Sequence, residues 1–300
     1  MSVPPHIVFR KAALLGVGYM GGSLMLAARR AGCVEEVTGF DLDPAAGLPA
    51  MAKGVVDAMA PTPAAAVQAA NLVVLAAPVG SLPGLAAAVA PHLSPGALVI
   101  DLGSVKGSVI EAVRSVLPAA VSFVGCHPLA GREASGVAAS DPDVYDGKPC
   151  LICADAAATA DVERAFAFWA AVGSKPVKAD ARAHDAFMAA ASHLPHVAAF
   201  ALAHALGAQA EALAQAMPAG ASPTSLRDTT RIAASSPAVW RDIFVANRQQ
   251  LLPMVDALAA SVAALRDAIA AEDESTLQAF LVAARASRRM LIGETTPRDS

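Results

Sequence analysis

The segment Gly16-Val17-Gly18-Tyr19-Met20-Gly21 directly follows an apolar run, Ala12-Ala13-Leu14-Leu15. A second apolar stretch, Val37-Thr38-Gly39-Phe40, ends in Asp41, twenty residues past Gly21. Strand, glycine turn, helix, strand and acid is the order of a dinucleotide-binding βαβ unit, which commits the chain to a parallel sheet with a crossover helix. Gly16 permits the tight turn, Gly18 lets the backbone approach a pyrophosphate, and Gly21 lets the helix pack on the strand. Tyr19 and Met20 open that helix, whose free N–H groups and partial positive charge suit phosphates. Asp41 is expected to accept hydrogen bonds from a ribose diol and to repel a 2′-phosphate. The next basic residue is Lys53, so NAD is favoured over NADP. Read alone, Asp41 could instead be a turn or helix-cap aspartate before Pro44.

Apolar, strand-like segments recur at 12–17, 36–41, 72–76, 98–101, 121–126, 149–154 and 175–177, with helical stretches in most gaps. That alternation predicts an α/β, doubly wound, Rossmann-type domain over residues 1–178. The later strands are expected to join antiparallel, because the connection from Cys126 to Pro149 is loop-like. Beyond Lys178 the strand signals stop, and alanine-rich helical segments run to about Ile292, broken near 217–223 and at Pro237. Residues 179–300 therefore read as an all-helical second domain, with two long helices at 249–271 and 272–291. Helices that are apolar on several faces need several neighbours, and a second subunit could supply some of them. A homodimer is expected.

No charged residue lies between Ala58 and Ile100, which resembles a membrane segment until its prolines are placed. Pro61, Pro63, Pro78, Pro83, Pro91 and Pro95 interrupt it, so buried parallel strands and their helices are the better reading. No membrane association is expected. With a net charge of −4 and no basic run, nucleic acid is an unfavourable partner. The N-terminus shows no secretory signal pattern, and four cysteines in 300 residues fit a reducing, cytoplasmic setting. Cys150 and Cys153 have CxxC spacing but sit in a strand-like segment, where residues three apart face opposite ways. Cys33 and Cys126 read as small buried hydrophobes.

In doubly wound folds ligands sit outside the carboxyl ends of the strands. Three segments reach that edge: Ala76–Val79, where Pro78 borders the cofactor, Asp101–Lys106, and Gly125–Gly131. His127, expected at a strand end, is the acid–base candidate: a neutral imidazole there could take a proton from a substrate hydroxyl during hydride removal. A loop-bonding histidine is the competing reading. Ser104 could donate to substrate or nicotinamide, or simply cap the following helix. Lys106 reads as a solvated first-turn residue and is left out of the catalytic set. In the helical part, His193 and His196 are spaced to share a helix face, and no further metal ligand is evident nearby. Arg227, Arg231 and Arg241 stand in a charge-poor region, suited to gripping carboxylates or to surface pairing such as Arg241 with Asp242.

Five motifs in this order, GVGYMGGS (16–23), DLGSVK (101–106), CHPLAG (126–131), SHLPH (192–196) and TRIAASSPAVW (230–240), resemble the prephenate/arogenate dehydrogenase family, also called cyclohexadienyl dehydrogenases of tyrosine biosynthesis. The resemblance spans nearly the whole chain. It implies that His127 polarises the ring 4-hydroxyl of the substrate, with Ser104 as its hydrogen-bonding partner near the nicotinamide. It implies that His196, with His193 close by, lies in the substrate site, that Arg231 holds a substrate carboxylate, and that Trp240 walls the same pocket. Glu133 resembles an acid near the side-chain end of the site, where it would influence the choice between amino and keto substrates. The implied reaction is oxidative decarboxylation of prephenate to 4-hydroxyphenylpyruvate with NAD+, or the matching reaction of arogenate, without a metal. The family also implies a helical dimer core and a cleft site. No fused mutase or C-terminal regulatory domain is expected, so tyrosine inhibition would act at the active site. Asp228-Thr229-Thr230 departs from the aromatic-containing segment often seen before the arginine, which bears on substrate preference.

Two rival readings differ in class. A 3-hydroxyacid dehydrogenase or imino-acid reductase would share the glycine loop and the helical domain but not His127-Pro128 together with 192–196. A non-enzymatic NAD(H)-sensing regulator would need a basic DNA-reading module, and none is visible in this sequence.

Overall fold

The computed structural model describes residues 8–131, 135–154, 157–209, 211–212, 215 and 223–293. An eight-stranded sheet has the order β3-β2-β1-β4-β5-β6-β7-β8. The strands are β1 Phe9–Leu15, β2 Val34–Phe40, β3 Ala58–Met59, β4 Leu72–Leu75, β5 Leu98–Asp101, β6 Ser122–Pro128, β7 Pro149–Cys153 and β8 Lys175–Ala179. All neighbours pair parallel except β6 and β7. The loop-like connection before Pro149 does produce the expected antiparallel step. The short edge strand β3 is the one element of the sheet without a sequence expectation; two residues are too few to leave a pattern.

Helices cover both faces. They are α1 Tyr19–Arg30, α2 Gly47–Ala52, α3 Pro63–Ala66, α4 Leu82–Val89, α5 Gly107–Arg114 and α6 Thr159–Ala171. Side chains alternate across the sheet, so each strand feeds two cores. Ala12, Leu14, Leu72 and Val74 join Leu24, Met25, Phe168 and Trp169 on one face. Ala13, Leu15, Val73 and Leu75 join Ala66, Leu82, Ala86 and Val109 on the other. The central strands β4 and β5 are buried along their whole length. This explains the charge-free stretch from 58 to 100: strands covered on both faces have no polar side to show. Burying each such Leu or Val stabilises the fold by roughly 1.5–3 kcal/mol relative to exposure.

After β8 the described chain is helical. It continues as α7 Ala181–Met188, a π turn Ala189–His193, α8 Leu194–Gly207, α9 Thr224–Thr230, α10 Pro237–Ala246, α11 Arg248–Ala270 and α12 Glu274–Leu291. Asp180 caps α7 by accepting from the Ala183 N–H at 2.7 Å. Pro237 starts α10 rather than merely breaking a helix, because its missing N–H is harmless in the first turn. Ile243 of α10 reaches the second sheet core, with Trp240 and Phe244 packed against it. Residues 181–207 form a continuous helical run whose most apolar 18-residue window has a mean hydropathy of 1.4, long and apolar enough by composition to cross a bilayer. The same run carries His184, Asp185 and His193, all buried. By its contacts the chain forms two compact units, Met1–Leu251 and Leu252–Ser300. The second unit holds most of α11 and α12, whose Leu281, Val282, Met290 and Leu291 are exposed.

Candidate active site

The glycine turn is built as its spacing predicts. Gly16 has φ +99° and passes 2.7 Å from the Ala76 carbonyl, counted from where a Cβ would stand, so a side chain fits neither the conformation nor the space. A Cβ on Gly18 would meet nothing within 4 Å. The backbone there is open to a ligand. Gly18 precedes α1 and offers no side-chain cap, which leaves the first-turn N–H groups of α1 for an anion. These surfaces line a cavity of about 520 Å³ with Gly16, Gly18, Asp41, Pro78 and Ser81. The donor set and the open face at Gly18 fit a dinucleotide.

Asp41 lines this cavity and ties the glycine turn to the segment after β2. Its carboxylate accepts from the Val17 N–H at 2.6 Å and from the Asp43 N–H at 2.9 Å. The cap of the Pro44 turn is Asp43, not Asp41. Lys53 turns away and donates to the Ala138 carbonyl at 2.6 Å. Tyr19 enters the core with its hydroxyl buried and without a partner among the described residues, so at this position only the backbone faces a ligand. Met20 Sδ would lie 3.8 Å from a Cβ on Gly131, which places this residue between the glycine turn and the loop after His127. Gly21 packs α1 against Leu14 and Ala76.

His127 is within β6, opposite Leu151, rather than beyond its end, because the antiparallel pairing carries the strand on to Pro128. It lines a second cavity of about 480 Å³ with Pro128, Gly131, Asp143, Lys148 and Met188. Its Nδ1 lies 2.8 Å from His184 Nε2, and His184 Nδ1 lies 2.8 Å from Asp185 Oδ1. A carboxylate only accepts, so His184 Nδ1 carries the proton and its Nε2 is the acceptor in the neutral ring. His127 Nδ1 then donates, and its Nε2 is left with a free lone pair. Burial, and then the Lys106 ammonium, hold His127 well below the ordinary imidazole range. The site therefore holds an uncharged base whose tautomer is set by a histidine and an aspartate.

Lys106 corrects the sequence expectation of a solvated residue. Its side chain is 0% exposed. It ion-pairs with Asp101 and donates to the Cys126 carbonyl at 2.8 Å. Asp101 also accepts from the Gly103 and Cys126 N–H groups, each at 2.9 Å. Ser104 is half-buried between these two residues, and it does not cap α5, which begins three residues later behind Lys106. The capping alternative for Ser104 therefore falls. Cys126 is buried as expected, and Cys150 and Cys153 are buried free thiols on the neighbouring strand.

The helical segments complete the arrangement. Asn247 is buried; its amide donates to the Asp185 carbonyl at 2.9 Å and meets His193 Nδ1 at 3.0 Å. His193 Nδ1 is thus an acceptor, so neutral His193 presents Nε2–H, buried and without a partner among the described residues. Burial pushes the His193 pKa down to about 4. His196 stacks on Trp240 with ring centroids 3.4 Å apart, and His193 meets the same indole edge-on at 6.0 Å. Burial lowers the His196 pKa, and the positive charge of Arg231 lowers it further. Arg231 is exposed at the end of α9. Arg241 pairs with its neighbour Asp242 at 2.6 Å, the surface alternative rather than a ligand grip. Glu133 lies outside the described residues. Among the described residues no group of His, Cys, Asp and Glu could hold a metal ion.

Four residues of this network had no expectation as site groups: His184, Asp185, Asn247 and the buried Lys106. His184-Asp185 was the available signal, an imidazole beside a carboxylate in one helix.

Family models match nearly end to end. Residues 24–178 match "Prephenate dehydrogenase, nucleotide-binding domain" and residues 180–283 match "Prephenate dehydrogenase, dimerization domain". The chain is 35% identical over 269 residues to a cyclohexadienyl dehydrogenase of Zymomonas mobilis, covering 89% of this chain and 90% of that one. It is 29% identical over 276 residues to a prephenate dehydrogenase of Bacillus subtilis, covering 91% of this chain and 73% of that one. Among solved structures it resembles prephenate dehydrogenase from Aquifex aeolicus in complex with hydroxyphenyl propionate and NAD+, with TM-score 0.82 and 30% identity over 97% of this chain and 99% of that one.

Proposed function

The chain belongs to the prephenate dehydrogenase family, and we propose that it converts prephenate to 4-hydroxyphenylpyruvate and CO2, reducing NAD+. The observation that carries this reading is the His127–His184–Asp185 chain, which leaves one uncharged imidazole nitrogen beside the loop that faces the glycine turn. A reaction that removes a hydroxyl proton while a hydride leaves the same carbon needs such a base.

NAD+ supplies the hydride acceptor. The protein's residues orient and polarise. The α1 N-terminus and Gly18 hold the pyrophosphate, and Asp41 receives the ribose diol. His127 Nε2 accepts the proton of the substrate 4-hydroxyl, and Ser104 helps place that hydroxyl. The charge that arrives on His127 is met through His184 by the Asp185 carboxylate. Loss of electron density at C4 draws the ring carboxylate off as CO2, and aromatisation supplies much of the driving force. Arg231 grips a substrate carboxylate. Trp240, held by the His196 stack, forms a wall, and the unpartnered His193 Nε2–H is a donor for a substrate oxygen. Tyrosine, which resembles substrate and product, competes at this site.

Residues 1–178 serve the cofactor and 179–300 the substrate and the subunit contact. The exposed apolar side chains of α12 and the matching dimerization-domain model support a homodimer. Four free cysteines fit a reducing, cytoplasmic setting.

The test is NADH and CO2 formation by purified protein with NAD+ and prephenate, and separately arogenate. Activity with prephenate is expected. Activity with arogenate alone would reassign the substrate and leave the proton chemistry intact. No turnover of either by folded protein would overturn the reading.

A further inference from the structure

A lysine with no exposed surface is rare in a protein interior and needs a reason. Lys106 lines neither cavity, yet its ammonium and its backbone N–H both bond to groups that support His127. Its ammonium holds Asp101 and the carbonyl of Cys126, the residue before His127. Asp101 in turn holds the N–H of that same Cys126. The peptide groups on both sides of Cys126 are thereby fixed by one buried ion pair. At its other end, the Lys106 backbone N–H donates to Asp185 Oδ1 at 2.8 Å, and the next N–H, from Gly107, donates to Asp185 Oδ2 at 2.8 Å. Asp185 is the carboxylate that orients His184, which orients His127.

We propose that Lys106, paired with Asp101, is a positioning residue for the dehydrogenase reaction: one residue fixes both the strand that carries His127 and the carboxylate that sets its ring. The inference rests on His127 being the base, as read above. Lys106 converges on one imidazole from two directions, its side chain through Cys126 and its backbone N–H through Asp185. The charge of Lys106 adds a second effect, since it disfavours a proton on His127. The other groups facing His127 are His184 and Asp185 from α7, His193 from the π turn, and Asp143 and Lys148 across the cavity. None of these is removed by substituting Lys106, so a shift in the titration of His127 reports on this pair.

The experiment compares wild type with Lys106→Met and with the charge-free pair Asp101→Asn/Lys106→Met, the second avoiding an unpaired buried carboxylate. Each is assayed with prephenate and NAD+ from acid to neutral pH, and His127 is titrated by NMR with labelled histidine. The expected result for the double variant is a folded protein with kcat lower by about 10²-fold, the size of a misplacement of about an ångström. KM for prephenate should change by no more than about threefold, since Lys106 contacts no substrate in this reading, and any larger share of the loss belongs to kcat. The acid limb of kcat and the titration of His127 should both move to higher pH. A folded double variant with wild-type kcat and an unmoved titration would overturn the proposal, and so would a loss confined to KM. If wild type itself turns over no prephenate, the reading of the reaction fails, and the NMR titration still decides whether Lys106 controls His127.

Discussion

His184 Nε2 sits 2.8 Å from His127 Nδ1, so a residue on a helix of the later part of the chain decides which nitrogen of a sheet residue is free to act. If His127 is the base, His127→Asn keeps a polar side chain of similar reach but no basic nitrogen. Turnover should fall by about 10²–10⁴, the usual share of general-base help. Steady-state NADH formation measures it, and a kcat within a few-fold of wild type would remove His127 from the role.

His184→Ala leaves His127 in place but without the partner that selects its tautomer. We expect kcat to drop by roughly 10²-fold while KM stays close to wild type, because orientation rather than binding is lost. Equal losses in both parameters would mean that His184 only supports the pocket.

Asp41→Asn should raise KM for NAD+ by about tenfold or more, the effect of losing a charged hydrogen-bond acceptor. The ratio of NADP+ to NAD+ activity should rise at the same time, since a 2′-phosphate no longer meets a carboxylate. An unchanged ratio would assign Asp41 to the turn it makes with Val17 and Asp43 alone.

Arg231→Ala should mainly weaken prephenate binding, raising KM roughly 10- to 100-fold, as expected for a charge-assisted contact. Initial rates across substrate concentration separate the parameters, and a KM equal to wild type counts against the contact.

Acid should destabilise the protein. His127, His193 and His196 all have pKa values lowered by burial. The unfolded chain takes up protons near pH 6.5 while the native state does not, so stability is full above that point and declines as pH falls toward about 4. His193 alone contributes up to about 3 kcal/mol of this loss. Urea midpoints at neutral pH and near pH 5 test it; equal midpoints would show that these imidazoles are accessible to protons in the native state.

The sheet was legible in the sequence because its signals are local. The glycine turn, Asp41 and the apolar runs of β4 and β5 each declare themselves within a few residues. His127 was legible too, through its neighbours Pro128 and Gly131. Its support was not, because that support comes from far away: His184 is 57 residues distant and its bond exists only after the sheet and α7 have met. Lys106 misled for a related reason. In sequence it looks like any basic residue opening a helix, and only the return of β6 beside Asp101 buries it.

The π turn at 189–193 has a consequence for the geometry of the whole pocket. In a regular α-helix each residue advances about 100°, so His184 and His193 would face nearly opposite sides and His184 and His196 would be about 120° apart. The wider turn takes back about one residue's rotation, leaving roughly 80° and 20°. It works as a phase adjuster, bringing the imidazole that serves His127 and the imidazole that serves Trp240 onto neighbouring azimuths of a single rod. Deleting one alanine from 189–191 would give a regular helix with nearly the same azimuths, eleven residues from His184 to His196, whereas inserting one there would turn His196 about 100° away from the indole it stacks on.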